Sequence, residues 1–368
     1  MPPTVEHVAD FEWRGVGEAS EVVIHAPDAR TAAWALERAL PVALLPGVVS
    51  PLYAVAVPGS VYGSVVASGS HAAPDLASVP ARGLLLVADA AIGELGVPPE
   101  EVGRLVSRDL SDVRPPALSE AGARGLCGRG ALASAEVGLI EEEDLELLDP
   151  APDADADALL RRALSAGLRE WDLLGEAHAC GVGEIFEAED AESLGLSSEA
   201  LVLVASVGAG DLGRIVLSGH RKRILSRVLY GDLEAEEDLP AAPAGTEEAS
   251  DLLAAVGAAA NFADGRAALL VYALRRVLRD VAGGLRLIAA WRVGGVEESG
   301  GAFVHRRGIA TAAEGDVALS GGTVVVGTGK MCGSVPPFAA PEVDGSHPWE
   351  DAGLLERWAD LHPPEGNS

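Results

Sequence analysis

Residues 42–68, VALLPGVVSPLYAVAVPGSVYGSVVAS, are β-branched and apolar, interrupted mainly by Pro and Gly. Branched side chains suit a pleated backbone and Pro and Gly punctuate it, so this run predicts short buried strands joined by tight turns. RGLLLVADAAIG, residues 82–93, predicts another buried strand, one ending in an acidic residue, Asp89. LVLVAS at 201–206 predicts a strand that runs into the glycine-rich turn VGAGDLG. An acidic surface connection at 141–158 precedes a helix with Leu159, Leu160, Ala163, Leu164, Leu168 and Trp171 on one face. Two further helical patterns occupy 252–262 and 267–281, with Gly265 between them. Residues 232–248 read as an acidic linker in which Thr246 caps the next helix and Glu247 and Glu248 suit its dipole. From Leu285 onward LRLIAAW, GAFVH and GTVVVG return to strand, and a Pro-rich tail ends in a short amphipathic helix at 354–361. Scattered strands with grouped helices predict an α+β fold, not alternating βαβ units.

Charge narrows the functional classes. The chain of 368 residues carries 27 Lys+Arg against 56 Asp+Glu, a net charge of −29, and its only lysines are Lys222 and Lys330. A polyanion is repelled by such a protein at long range, which argues against a general DNA- or RNA-coating role. Any nucleic-acid contact must be local and built from a few clustered arginines, and no DNA partner is expected. Hydrophobic residues make up 48% but aromatics only 4%, so the core must be Ala, Val and Leu, in one large domain or two smaller ones. The amino terminus lacks a basic segment followed by an apolar run, and the apolar stretches are too short and broken to span a bilayer. The expectation is a cytoplasmic protein without a membrane partner. Cys127, Cys180 and Cys332 are too widely spaced for a disulfide framework or a CxxC zinc site.

Few stretches carry chemistry. AFVHRRGIAT, residues 302–311, sets His305, Arg306 and Arg307 between apolar segments. It reads either as a surface turn whose arginines pair with acidic residues or as an anion site. GHRKRILSR at 219–227 is the densest basic patch, a solvated helix face or a phosphate-contacting one. Residues 208–213 match the letter of GxGxxG, but a dinucleotide site also requires a βαβ unit. His178 and Cys180 form an H-x-C pair near Glu184 and Glu187, a weak metal signal without further soft ligands.

Three segments in order, AAANFADGR (258–266), FVHRRGIAT (303–311) and GGTVVVGTGKMCG (321–333), resemble the RtcB-type tRNA-splicing RNA ligases. Those ligases carry an AANFAxANR helix, then VHRKGAT, then an IPGSMGT turn. Residues 42–68, 174–187 and 202–213 match further family segments more loosely, so the resemblance runs from about residue 40 to 347. It implies a single large α+β domain over 41–347 with central mixed and antiparallel sheets flanked by helices. Residues 1–40 would be an amino-terminal segment, and 348–368 a tail lacking the family's carboxy-terminal extension. It also implies GTP- and manganese-dependent joining of RNA 3′-phosphate or 2′,3′-cyclic phosphate to 5′-hydroxyl ends through a guanylated histidine.

The positions where the family holds its metals differ here. Its Asp-x-x-Cys falls on Asp89 and Ile92, and an isoleucine cannot bind a metal. Its GNHFxE histidine falls on Glu184, a potential hard-ion ligand, and its guanine-contacting Glu on Glu187. Another family histidine becomes Ala205, a third falls on Trp291 or Arg292, and Gly47 and Val49 replace an Asp and a His. The guanylated histidine has a counterpart in His347 by distance alone; the other reading of His347 is a loop residue. Asn261, Arg266, His305, Arg306 and Arg307 match the retained helix and VHRKG segments and are the candidate RNA- or nucleotide-binding residues.

One Asp and one Glu are too few for two soft-to-borderline ions. The expectation is therefore a degenerate, non-catalytic member with no resident cofactor that keeps RNA or nucleotide binding or serves a protein partner. Two alternatives stand beside it. One is an active ligase using GTP and Mn²⁺ at a site rebuilt around Asp89, Glu184, Glu187 and His347. The other is an interaction protein without nucleic-acid affinity.

Overall fold

The β-branched runs from both ends of the chain meet in a single sheet. The computed structural model describes residues 5–9, 12–16, 21–26, 28–39, 42, 45–57, 60–91, 94–95, 102, 105, 120–148, 156–157, 178–184, 200–233, 238–311, 316–320, 323–327 and 331–333. Strands β1 (Val5–Ala9), β2 (Glu12–Val16) and β3 (Glu21–His25) pair antiparallel. Helix α1 (Ala29–Ala39) then crosses over, so that β4 (Val48–Val57) lies parallel to β3. Strands β5 (Ser60–Ser68) and β6 (His71–Ala72) lead through a 3₁₀ turn at Pro74–Leu76 into β7 (Ala81–Ala91). Three short helices follow, α2 (Glu120–Arg129), α3 (Ala131–Ala135) and α4 (Glu142–Leu145). Strands β8 (His178–Glu184) and β9 (Ala200–Gly208) precede helix α5 (Gly210–Leu229), strand β10 (Ala242–Pro243) and helix α6 (Glu247–Ala282). The remaining strands are β11 (Leu285–Ser299), β12 (Ala302–Thr311), β13 (Asp316–Ser320), β14 (Thr323–Gly327) and β15 (Met331–Gly333).

Eleven strands join in the order β1-β2-β3-β4-β5-β12-β11-β7-β9-β8, with β15 beside β12. The fold is α+β: a large mixed sheet, antiparallel except for β3 and β4, with its helices grouped. Period-two alternation selects which side chains meet the helices. Leu84 and Leu86 of β7 and Leu201, Leu203, Ala205 and Val207 of β9 pack against Ala267, Leu270 and Leu274 of α6. The amino-terminal half of α6 packs in a second cluster with Leu212 and Val216 of α5, Leu126 of α2, and Val296 and Phe303 of the sheet. Helix α1 covers β3 and β4 through Ala32, Ala35 and Leu36 against Ile24, Leu52 and Ala54.

Helix α6 replaces the two helical patterns read from the sequence. Its 36 residues make a rod about 54 Å long. Thr246 caps it as expected, its hydroxyl accepting the Ala249 N–H at 3.3 Å. Gly265 does not interrupt the helix; its missing side chain admits α2. A Cβ built there would lie 2.6 Å from Leu126 Cδ2. The basic patch at 219–227 lies on α5 and is largely matched inside the molecule. Arg221 bonds Asp75 at 2.8 Å, Arg227 bonds Glu248 at 3.0 Å, and Arg223 bonds Glu247 and Asp251. The glycine-rich turn does join a strand to a helix, but β9 lies antiparallel to both its neighbours and α5 leads to β10. The βαβ unit of a dinucleotide site is therefore not formed there. Among the described residues no helix is long and apolar enough to cross a membrane. The expected helix over 159–171 and the tail helix at 354–361 lie outside the described residues.

Candidate functional site

AFVHRRGIAT forms strand β12, between β5 and β11, and is not a surface turn. Alternation along this strand separates the roles of its histidine and two arginines. His305 is fully buried. Its Nε2 accepts the Ala73 N–H at 2.9 Å, and its Nδ1 lies 3.0 Å from the Val66 carbonyl, which it reaches as the N–H tautomer. Burial lowers its pKa to about 4, so the ring is neutral at pH 7. Both ring nitrogens are engaged by backbone, and His305 works as a strut between β5, β12 and the segment before the 3₁₀ turn.

The next two residues line different clefts. Arg306 stands opposite Val65 and Arg307 opposite Ser64. Arg306 borders a cleft of about 680 Å³ with Arg292, the Gly294–Gly295 bulge and the amino-terminal half of α6. Its NH2 donates to Glu297 Oε1 at 2.8 Å, while its Nε–H is buried with no acceptor among the described residues. Arg307 borders a second cleft of about 540 Å³, facing Trp34 and Arg38 of α1.

Behind the first cleft lies a buried ionic group that the sequence reading did not single out. Asp264, on α6, receives Arg82 Nε of β7 at 2.8 Å and Arg292 NH2 of β11 at 3.3 Å. Arg82 and Arg292 are neighbours across the β7–β11 ladder. Burial pushes the Asp264 carboxyl upward, and the two guanidiniums pull against that rise. The available signal was an acid inside NFADGRAALL, a segment of α6 in which every residue is buried. An unpaired charge cannot persist in such a place.

The retained motif helix supplies two further buried polar residues. Asn261 is fully buried and donates from Nδ2 to the carbonyls of Cys127 (3.2 Å) and Gly128 (3.4 Å), at the end of α2. Arg266 is buried in mid-helix, not at a helix end, and its NH1 donates to the Gly208 carbonyl at 2.6 Å, where β9 ends. Both tie α6 to its surroundings through main-chain oxygens.

Among the positions with a metal or catalytic expectation, Asp89 lies in β7 at the irregularity between Val87 and Ala91, and Glu184 stands opposite Leu201 on β8. Strand β9 separates them at one end of the sheet. Their side chains, with Glu187 and His347, lie outside the described residues, as do the side chains of His178 and Cys180. Ala205 packs in the core and Arg292 is bonded to Asp264. Among the described residues no group of three His, Cys, Asp or Glu is placed to hold a metal ion.

No protein-family model matches the chain. A tRNA-splicing ligase RtcB from Pyrococcus furiosus is 30% identical over 161 residues, 41% of this chain and 16% of that protein. An RNA-splicing ligase RtcB from Mycobacterium bovis is 27% identical over 135 residues, 35% of this chain and 31% of that protein. A tRNA-splicing ligase RtcB from Pyrococcus abyssi is 30% identical over 149 residues, 38% of this chain and 16% of that protein. The matched part of the chain spans between 16% and 31% of the length of these curated relatives. These matches support a distant relationship to the RtcB ligases and an RNA-ligase-like fold for this chain.

Proposed function

We propose that this protein is a divergent RtcB-like scaffold that binds RNA through arginine–phosphate contacts and does not join RNA ends. The observation that carries this reading is Arg292 bonded to Asp264. The family resemblance sets a metal-binding histidine at Trp291 or Arg292. A guanidinium is a permanent cation with no lone pair to give a metal, and it repels a divalent ion. Ala205 removes a second donor. What a guanidinium does well is hold phosphate, through a planar fork of N–H donors. Arg306 borders the same cleft, and its guanidinium fork can take a phosphate in exchange for the exposed Glu297 carboxylate. A polyanion approaching so acidic a protein has to be held at such local sites.

The experiment combines an end-joining assay with a binding assay on the purified protein. RNA carrying 3′-phosphate and 5′-hydroxyl ends, GTP and Mn²⁺ should give no joined product. The same RNA should bind with strong salt dependence, and binding should weaken in Arg306→Ala. Joined product would overturn the non-joining half of the reading, and absent or salt-insensitive binding would overturn the RNA half.

A second reading has one observation in its favour: Asp89 and Glu184 share one end of the sheet, across β9. On that reading the chain forms a covalent guanylate, and the label is lost in His347→Ala.

A further inference from the structure

The cleft beside Arg307 differs in character from the rest of this acidic chain. Its walls come from α1 on one side and from β4, β5 and β12 on the other, and no Asp or Glu is among its described lining residues. Buried Leu52, Val66 and Leu76 form an apolar floor. On the α1 side the Arg38 guanidinium lies over the Trp34 indole, its central carbon 3.7 Å from the ring centroid. NH1 of Arg38 also donates to the Trp34 carbonyl at 3.3 Å, which fixes the plane of the fork. Spacing of four residues on one helix brings the two side chains together. On the sheet side Arg307 is exposed and Ser64 stands beside it in the adjacent strand. Among the described residues neither Arg38 nor Arg307 has a carboxylate partner, whereas Arg14, Arg129, Arg214, Arg221, Arg223 and Arg227 all do.

These features specify a ligand of mixed chemistry. An apolar floor and a stacked aromatic–guanidinium pair suit a flat, uncharged ring system. An exposed guanidinium on the facing wall suits a compact anion attached to that ring. A cleft of about 540 Å³ lies in the size range of small-molecule sites. A nucleobase joined to a phosphate meets each requirement, and the absence of lining carboxylates removes the local repulsion that such an anion meets elsewhere on the molecule. Arg38 is already stacked, so less side-chain freedom is lost on binding.

We propose that the pocket between α1 and β12 binds one nucleotide unit of single-stranded RNA, its base stacked against the Trp34–Arg38 pair and its phosphate held by Arg307. The polymer identity rests on the RNA-binding reading above; the pocket chemistry does not.

The test titrates the full chain with adenosine 5′-monophosphate, adenosine, dodecanoate and a fluorescent oligoadenylate. The monophosphate should bind, and adenosine should bind about tenfold more weakly because the charge-assisted contact to Arg307 is lost. Arg307→Ala should weaken the monophosphate about tenfold and leave adenosine unchanged. Trp34→Leu should weaken both about tenfold, and Trp34→Phe should restore most of that loss. Arg279→Ala, which removes an exposed cation in the last turn of α6, should change nothing. Unfolding curves for each variant check that it is folded. Oligoadenylate binding that is untouched by Arg307→Ala and Trp34→Leu would overturn the pocket and leave the RNA reading standing. Monophosphate binding without oligoadenylate binding would overturn the RNA reading and the polymer half of this proposal. Dodecanoate binding more tightly than the monophosphate would overturn the nucleotide assignment in favour of an acyl anion.

Discussion

Arg82 of β7 and Asp264 of α6 meet at 2.8 Å although they lie 182 positions apart, and their side chains are only 5% and 1% exposed. The pair fixes the long helix to the centre of the sheet at one point, and Arg292 joins it from the next strand. A buried ion pair adds little net stability compared with a well-packed apolar pair, but breaking one is costly because a charge is stranded. The main effect of this group is therefore to define how α6 sits on β7 and β11.

That reasoning gives the first prediction. Asp264→Ala should destabilise the protein by about 3–5 kcal/mol, because Arg82 would remain buried without its carboxylate. Asp264→Asn should cost less, since the amide oxygen still accepts from Arg82 Nε. Chemical denaturation of the two variants measures the difference, and equal losses would show that the retained amide acceptor contributes nothing and that the lost charge is the whole effect.

Gly265 tests the close approach of α2 to α6. Alanine there gains up to about 1 kcal/mol in helix propensity. The new Cβ, however, would meet Leu126 Cδ2, Cγ and Cβ at 2.6, 3.1 and 3.2 Å, and Leu126 is itself buried. Overpacking costs about 1–3 kcal/mol, so Gly265→Ala should be net destabilising. Adding Leu126→Ala should make the glycine substitution neutral or favourable in a double-mutant cycle. An additive cycle would argue against the contact.

His305 gives the fold an acid-sensitive point. Its pKa is about 4 in the folded protein against 6.5 for the free side chain, because burial disfavours the charged ring. As pH falls, the unfolded chain takes up this proton first. The stability tied to the neutral ring is complete above about pH 6.5 and is lost progressively down to about pH 4, reaching about 3 kcal/mol. His305→Leu lacks both ring nitrogens. It should be less stable at pH 7.5 and should show a flatter profile through that window. An unchanged profile would assign the acid sensitivity to other groups.

Arg306 and Arg307 line separate clefts, so their contributions to the proposed RNA binding should be separable. For a single strand, each phosphate contact contributes about 0.7 to the slope of log affinity against log salt. Arg306→Ala and Arg307→Ala should each lower the slope by about that amount, and the double variant by about twice as much. Fluorescence anisotropy across a salt series reads this directly. A slope unaffected by either change would place any RNA elsewhere on the protein.

Much of the secondary structure was legible because it is written locally. The β-branched run at 42–68 became β4 and β5, and the acid-led pattern after Thr246 became a capped helix. The two-helix reading around Gly265 failed because glycine is ambiguous in isolation: it ends helices, and it also lets helices touch. Only Leu126, brought in from α2, distinguishes the two uses. The basic stretch on α5 likewise looked available in the sequence, and the fold supplies its acids from Asp75 and from the first turns of α6.

The candidate site divides along the same line. Residue chemistry by itself determined that neither Ile92 nor Ala205 could ligate a metal and that Arg306 and Arg307 would carry adjacent positive charges, since these are properties of side chains wherever they lie. Tertiary structure alone decided what each cation does. Strand register sends Arg306 towards Arg292 and Arg307 towards Trp34, while His305 is spent on two backbone groups from distant segments. A side chain's charge is local, but its partners, its solvent access and the cleft it lines depend on which strands become neighbours.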